Sequence, residues 1–198
     1  MSFKPQAPKS SRANVGAVRI IGGQWRGRKL AVPEVEGLRP TGDRVRETLF
    51  NWLRKDLYQA RCIDLFAGSG ALGFEALSQG ASYALMLEKD RGAISLLEQN
   101  IQLFTAAAEV TRVDTLAWLK EQHDAEQTFD IAFVDPPFAL NCWDETLALL
   151  TERHLIKHEG YIYVECPLNH PLELPKGWHW HKQGSGGQVS YGLLAAST

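Results

Sequence analysis

The sequence predicts an α/β protein built on an open, mostly parallel sheet with helices on both faces. Three observations predict it. Short apolar runs alternate with helix-compatible runs between residues 62 and 164. The first run, Cys62-Ile63-Asp64-Leu65-Phe66, passes through Ala67-Gly68-Ser69-Gly70 into a helical stretch, a strand–turn–helix layout. The tail then changes character: two strand-like runs flank Gly184-Ser185-Gly186-Gly187, which reads as a closing antiparallel hairpin.

Taken in order, residues 1–14 are polar and rich in Pro, Ser and Lys, so they are expected to be a disordered basic tail. Residues 15–60 are expected to form an N-terminal β-hairpin and helix. Residues 18–21 and 24–32 read as the two strands, with Gly22-Gly23 as the turn. Arg19, Arg26, Arg28 and Lys29 interleave with Trp25, a mixture suited to phosphate contact and base stacking; an edge hairpin guarded by charge is the alternative. In the next helix Thr41 or Asp43 can cap the start, ahead of the periodic set Val45, Leu49, Trp52 and Leu53. Arg44 and Arg46 fall in its first turn, where the helix dipole disfavours cations unless an anion or carboxylate compensates. They are therefore candidates for a functional contact, or an ordinary surface pair.

Residues 61–198 are expected to form the main domain. Strands at 62–66, 83–87, 109–113 and 129–134 each precede a helix, at 71–79, 91–104, 115–122 and 143–154, and a strand at 161–164 closes the series. Residues 178–182 and 188–194 form the final hairpin.

At 198 residues and 44% hydrophobic content, the chain has enough length for one domain with an appendage. No apolar run approaches the ~20 residues of a membrane helix. The N-terminus lacks the apolar centre of a signal peptide. Cys62, Cys142 and Cys166 are odd in number and far apart, which suits a reducing cytoplasm better than a disulfide framework. No metal is expected: His154 with His158 and His179 with His181 have no evident third ligand. The net charge of −2 hides an asymmetry. Residues 1–61 carry 13 Lys/Arg against 5 Asp/Glu, whereas the rest carry 8 against 18. A basic front on an acidic body suggests an anionic partner.

Ligands of such a sheet bind beyond the carboxyl ends of its strands. That rim collects Asp64, Phe66, Ala67, Gly68, Gly70, Glu88, Asp114 and Asp135. Gly68, Gly70 and Gly73 satisfy G-x-G-x-x-G, a weak signal alone, since a tight turn with no ligand has the same pattern. Asp64 strengthens it, because a carboxylate inside an apolar strand needs a donor. Glu88 stands where an acidic residue holds ribose hydroxyls. The set has no P-loop lysine, which argues against a triphosphate. Asp135-Pro136-Pro137-Phe138 is the most specific stretch. The prolines stop the preceding strand and fix the carbonyls around them. Asp135 and a proline carbonyl can both accept from one NH₂ group, and Phe138 can stack on a flat ring. Together they describe a cradle for an exocyclic amine on a planar base; a rigid loop with an aromatic plug is the alternative.

These residues resemble a known family. Asp64 to Gly70 is similar to the S-adenosylmethionine loop of class I methyltransferases. Asp135 to Phe138 is similar to the (Asp/Asn)-Pro-Pro-(Tyr/Phe) motif of enzymes that methylate exocyclic amines on nucleobases. With RIIGGQWRGRKL at 19–30 and LRPTGDRVRETLFNWL at 38–53, the chain resembles the bacterial 16S ribosomal RNA guanine-N2 methyltransferase family RsmD, from about residue 18 to 194. The resemblance implies a Rossmann-like class I methyltransferase fold with a seven-stranded sheet. It implies that Asp64 and the Gly68–Gly70 backbone hold the methionine part of S-adenosylmethionine, Glu88 the ribose and Asp114 the adenine amine. Asp135 and the Pro136 carbonyl would hold the guanine N2 amine, with Phe138 packed on the base. Thr41, Arg44 and Arg46 would lie in a stretch that closes over cofactor and substrate. The implied partner is 16S ribosomal RNA or the small ribosomal subunit, met by a cytoplasmic monomer. An NAD-dependent oxidoreductase shares the glycine spacing and Glu88 but leaves Asp135 to Phe138 without a role. A non-catalytic RNA-binding module would keep the arm but has no use for the aligned carboxylates. Methylation of an exocyclic amine on another RNA or DNA base is the nearer alternative.

Overall fold

The computed structural model describes residues 15–33, 42–123 and 127–197. β1 (Val15–Arg19) and β2 (Lys29–Pro33) form an antiparallel ribbon, with Val18 opposite Leu30 and Arg19 opposite Lys29. The ribbon is not closed by the expected two-residue turn at Gly22-Gly23. Both strands stop short of it, and Gly23–Trp25 makes a 3-10 turn instead. The cause is docking. Glu75 accepts from the N–H groups of Ile21 (2.9 Å) and Gly22 (2.7 Å), and Ser78 Oγ accepts from Trp25 N–H (2.9 Å). The turn's donors are thus satisfied by the body of the protein, not by a partner strand. Gly23 sits at φ +72°, and a Cβ there would lie 1.7 Å from Ser78 O, so the contact requires glycine.

α1 (Asp43–Leu53) buries Val45, Leu49, Phe50 and Leu53 along one face. Asp43 is the first helical residue and not the cap, and Thr41 lies outside the described residues, as does the 1–14 tail. The alternating region follows: β3 (Arg61–Asp64), α2 (Ala71–Ser78), β4 (Tyr83–Glu88), α3 (Arg91–Phe104), β5 (Ala108–Arg112), α4 (Thr115–Glu121), β6 (Phe129–Val134), α5 (Trp143–Glu152) and β7 (Ile156–Pro167). β8 (Trp178–Gly186) and β9 (Val189–Ala196) complete it.

One seven-stranded sheet results, in the order β5-β4-β3-β6-β7-β9-β8. β3 to β7 pair in parallel, and β9 is antiparallel to both β7 and β8. β7 outruns the expected 161–164 because it is paired on both sides, with β6 and with β9. β8 runs through Gly184 to Gly186, expected as turn residues. Tyr191 explains this, since a Cβ on Gly184 would lie 2.8 Å from its Cζ. One core joins α1, α2, α3 and the hairpin residues Val18, Ile20, Trp25 and Leu30 on one face of the sheet. A second, with Leu119, Trp143, Leu147 and Leu150 from α4 and α5, covers the other. Each large apolar side chain fully buried in them contributes about 1.5–3 kcal/mol. Among the described residues no helix is long and apolar enough to cross a membrane.

The strand order reverses between β3 and β6. From β3 the chain steps outward to β4 and β5, then returns to the other side of β3. Loops leaving two adjacent strands therefore diverge there, and a crevice opens at their carboxyl ends.

Candidate active site

The rim residues come from four neighbouring strands. In sheet order they are Asp114 after β5, Glu88 ending β4, Asp64 ending β3 and Asp135 just past β6. β3 and β6 pair directly, with Asp64 level with Phe133, and Leu65 N–H still donates to Phe133 O at 3.1 Å. The glycine turn and the diproline loop thus leave side by side.

The turn is tightly built. Gly70 N–H donates to Ala67 O at 2.7 Å, and Ala67 N–H donates to Leu87 O at 3.0 Å. Gly68 and Gly70 have φ of +52° and +74°, the left-handed region that glycine occupies without penalty. A Cβ on Gly70 would lie 2.5 Å from Leu97 Cδ2, and one on Gly73 would lie 2.6 Å from Met86 Cε. Gly70 thus lets the start of α2 sit against α3, and Gly73 brings α2 down onto β4. Phe66 is half-buried and Ala67 is buried beside them.

Asp64 is buried, and its Oδ2 accepts from Gly73 N–H at 3.3 Å. Burial pushes its carboxyl up to about 7, opposed by the N–H groups of Gly73 and Phe66 and assisted by the charge of Glu88. Glu88 is half-buried and oriented from both sides. Its Oε2 accepts from Gly68 N–H (2.8 Å), and its Oε1 accepts from Lys89 and Asp90 N–H (2.8 Å each). The β4 carboxylate therefore holds the glycine turn directly. Asp114 is exposed, caps α4 and accepts from Ala117 N–H at 3.2 Å. Thr115 Oγ1, buried beside it, donates to Leu65 O and ties α4 to the end of β3.

Beyond β6, Asp135 is half-buried, Pro136 buried and Pro137 exposed. Phe138 is 47% exposed at the start of a 3-10 turn, Phe138–Leu140. Its ring lies 6.0 Å from that of Trp143, whose Nε1–H donates to Glu165 O at 2.7 Å.

The hairpin residues divide. Arg19, Arg26, Arg28 and Lys29 are exposed, as is Arg44 on α1. Arg28 packs its guanidinium 4.0 Å over the Phe104 ring. Two expectations for this group are corrected. Trp25 is not a free stacking platform: it is 8% exposed and packs on Phe104 at 5.0 Å, because the docked 3-10 turn folds it inward. Arg46 does not face RNA: it is fully buried, bonded to Asp43 (2.5 Å) and to Arg19 O (3.1 Å) and facing Glu75. Carboxylates, not a phosphate, offset its place in the first helical turn.

Several residues in and behind the site were not singled out from the sequence: Glu75, Ser78, Asp90, Thr115, Tyr163 and Glu165. Glu75 and Glu165 carry the same signal as Asp64, a carboxylate within an apolar element. The hydroxyl contacts depend on tertiary placement that has no local signature.

Sheet order, glycine turn and four-strand rim define a class I methyltransferase. A Streptococcus mutans structure assigned to the S-adenosylmethionine-dependent methyltransferases superposes with a TM-score of 0.70 at 12% identity, covering 98% of this chain and 57% of that one, a likeness of fold alone. The solved structure of Escherichia coli yhhF superposes with a TM-score of 0.83 at 44% identity, covering 92% and 99% of the two chains. The family model described as conserved hypothetical protein 95 matches residues 18–195. The ribosomal RNA small subunit methyltransferase D of Haemophilus influenzae is 46% identical over 181 residues, covering 90% of this chain and 93% of its own. The chain belongs to the ribosomal RNA small subunit methyltransferase D family, and it is a methyltransferase.

Proposed function

We propose that this protein transfers the methyl group of S-adenosylmethionine to the exocyclic N2 amine of a guanine in 16S ribosomal RNA. The observation that carries the proposal is the direct pairing of β3 with β6, which sets the glycine turn beside Asp135-Pro136-Pro137-Phe138. A donor held on one loop and an amine held on the other would meet at one rim.

The residues present fit the cofactor. A buried carboxyl pushed up to about 7 is poorly solvated, so Asp64 favours a cationic neighbour such as an amino acid's ammonium group. The turn folds back tightly through left-handed Gly68 and Gly70, and Glu88 is already aimed at Gly68. Asp64, Gly68 and Gly70 would hold the methionine part, Glu88 the ribose hydroxyls and Asp114 the adenine amine. Phe66 and Ala67, within the turn, would line the cofactor's place, and Thr41, outside the described residues, would join them on the strength of the family resemblance alone. When bound, the cofactor supplies an already activated sulfonium methyl, so no nucleophilic residue is needed.

The chain's task is the guanine amine, whose lone pair is delocalised into the ring. Asp135 and the Pro136 carbonyl accept its two hydrogens, which favours a more tetrahedral nitrogen with its lone pair aimed at the methyl. Positioning of this kind is worth up to about 7–11 kcal/mol in favourable systems. Asp135 is also the nearest acceptor for the proton released as the N–C bond forms. Phe138 packs on the base, which must leave its stack to arrive. Residues 15–60 act as the RNA-binding and cofactor-closing region through Arg19, Arg26, Arg28, Lys29 and Arg44. The setting is the cytoplasm, the partner is 16S ribosomal RNA alone or within the small subunit, and the enzyme works as a monomer. Family membership speaks against the oxidoreductase and the non-catalytic RNA-binding module.

The test is methyl transfer from labelled S-adenosylmethionine into small-subunit RNA, free and ribosomal, from cells lacking this protein. Stoichiometric labelling at one guanine supports the proposal. No incorporation into either substrate overturns it.

A further inference from the structure

Asp135 lies next to a second carboxylate. Val134, the last residue of β6, is level with Val164 of β7, so the residues that follow, Asp135 and Glu165, leave that pair side by side. Adjacent strands are ~4.8 Å apart. Glu165 is only 7% exposed. Its Oε2 accepts from Tyr163 O–H at 2.9 Å, and its backbone oxygen accepts from Trp143 Nε1–H, the ring behind Phe138. The Tyr163 phenol is pushed well up by burial first, then by the charges of Glu165 and Asp135, so both carboxylates bear on one hydroxyl.

A carboxylate has about four acceptor positions, so one that already holds Tyr163 O–H can accept from a further donor. The Watson–Crick edge of guanine offers two kinds side by side, the N2 amine and the ring N1–H. Adenine, cytosine and 2-aminopurine present a bare ring nitrogen there, which a carboxylate repels. Resting on the methyltransferase reading above, we infer that Glu165 is a base-reading residue: it accepts from guanine N1–H while Asp135 accepts from N2, and so selects guanine. Tyr163 is a positioning residue that aims the Glu165 carboxylate. Reading a flipped base along this edge is how enzymes acting on bases choose their target.

The experiment compares target RNA carrying guanine with the same RNA carrying 2-aminopurine at the methylated position. 2-Aminopurine keeps the reacting amine but has no N1–H. The wild type should prefer guanine by at least ~100-fold in kcat/KM, as expected where a polar site loses its partner. Glu165→Gln should bring the two substrates within ~10-fold, because its amide can donate to a bare N1 or accept from N1–H. Tyr163→Phe should narrow the preference partway. A wild type that methylates both RNAs equally overturns the inference without recourse to any variant. So does a folded Glu165→Gln enzyme with the wild-type preference; both results leave guanine-N2 methylation standing. A wild type inert on guanine RNA overturns that reading and this one together.

Discussion

Arg46 Nη1 and Glu75 Oε2 face each other across 3.7 Å, and both side chains are fully buried. Glu75 also accepts from the N–H groups of Ile21 and Gly22, and Arg46 donates to Arg19 O. α1, α2 and the tip of the hairpin are therefore joined through one ion pair. Removing Glu75 leaves the buried Arg46 guanidinium with only Asp43 and the Arg19 carbonyl, and it takes the acceptor from the Ile21 and Gly22 N–H groups. Glu75→Ala should cost roughly 3–5 kcal/mol in urea unfolding, the range for breaking a buried pair. A loss below ~1 kcal/mol would show that the hairpin is held by apolar contacts alone.

Asp64 makes the stability of the cofactor-free protein depend on pH. Its carboxyl has an ordinary value of 3.8 and is pushed up to about 7 in the folded state. The unfolded chain releases this proton first, so the contribution is fully present below about 3.8 and is lost as pH rises to about 7. Each unit corresponds to about 1.4 kcal/mol, so roughly 4–5 kcal/mol disappears across that window. Asp64→Asn, which keeps an acceptor for Gly73 N–H, should gain stability over wild type as pH rises from 4 to 8. Paired urea titrations at both pH values measure it. An equal difference at the two would contradict the burial-driven shift. The same variant should bind S-adenosylmethionine more weakly.

How much of this was readable beforehand follows from the range of each signal. The alternation from β3 to β6 was legible because apolar runs and glycine turns are local, and α3 and β6 fall at 91–104 and 129–134 as expected. The hairpin tip was not, because Gly22 and Gly23 are shaped by Glu75 and Ser78, more than 50 residues away. Arg46 and Trp25 carried the same ambiguity: cations and aromatics near a basic arm suit RNA or a buried joint equally well, and only the packing decides. Glu165 was legible in kind, as a carboxylate ending an apolar run. Its nearness to Asp135 depends on the β6–β7 register, which no local pattern encodes.

Asp135→Ala should abolish methylation while leaving cofactor binding largely intact. Loss of one preorganised hydrogen-bonding group costs about 100–1000-fold in turnover where such groups have been removed. Single-turnover kinetics, with S-adenosylhomocysteine affinity by calorimetry, separates the two effects. A variant retaining most of its activity would remove the amine-holding role from Asp135.

The exposed cations of the hairpin should appear as salt dependence. Neutralising Arg26, Arg28 and Lys29 together should weaken RNA binding and reduce the slope of log affinity against log salt by about 2–3. Arg28 also packs on Phe104, so the variant's melting temperature is checked in parallel. An unchanged slope would mean that these charges only guard the edge of the ribbon.

The most direct test of the shared rim is to identify the methylated atom. Small-subunit RNA labelled by the purified enzyme is digested to nucleosides and resolved by mass spectrometry against standards. N2-methylguanosine from one position, absent with Asp135→Ala, is the predicted result. A methyl on a ring nitrogen, a ribose oxygen or another base would contradict it.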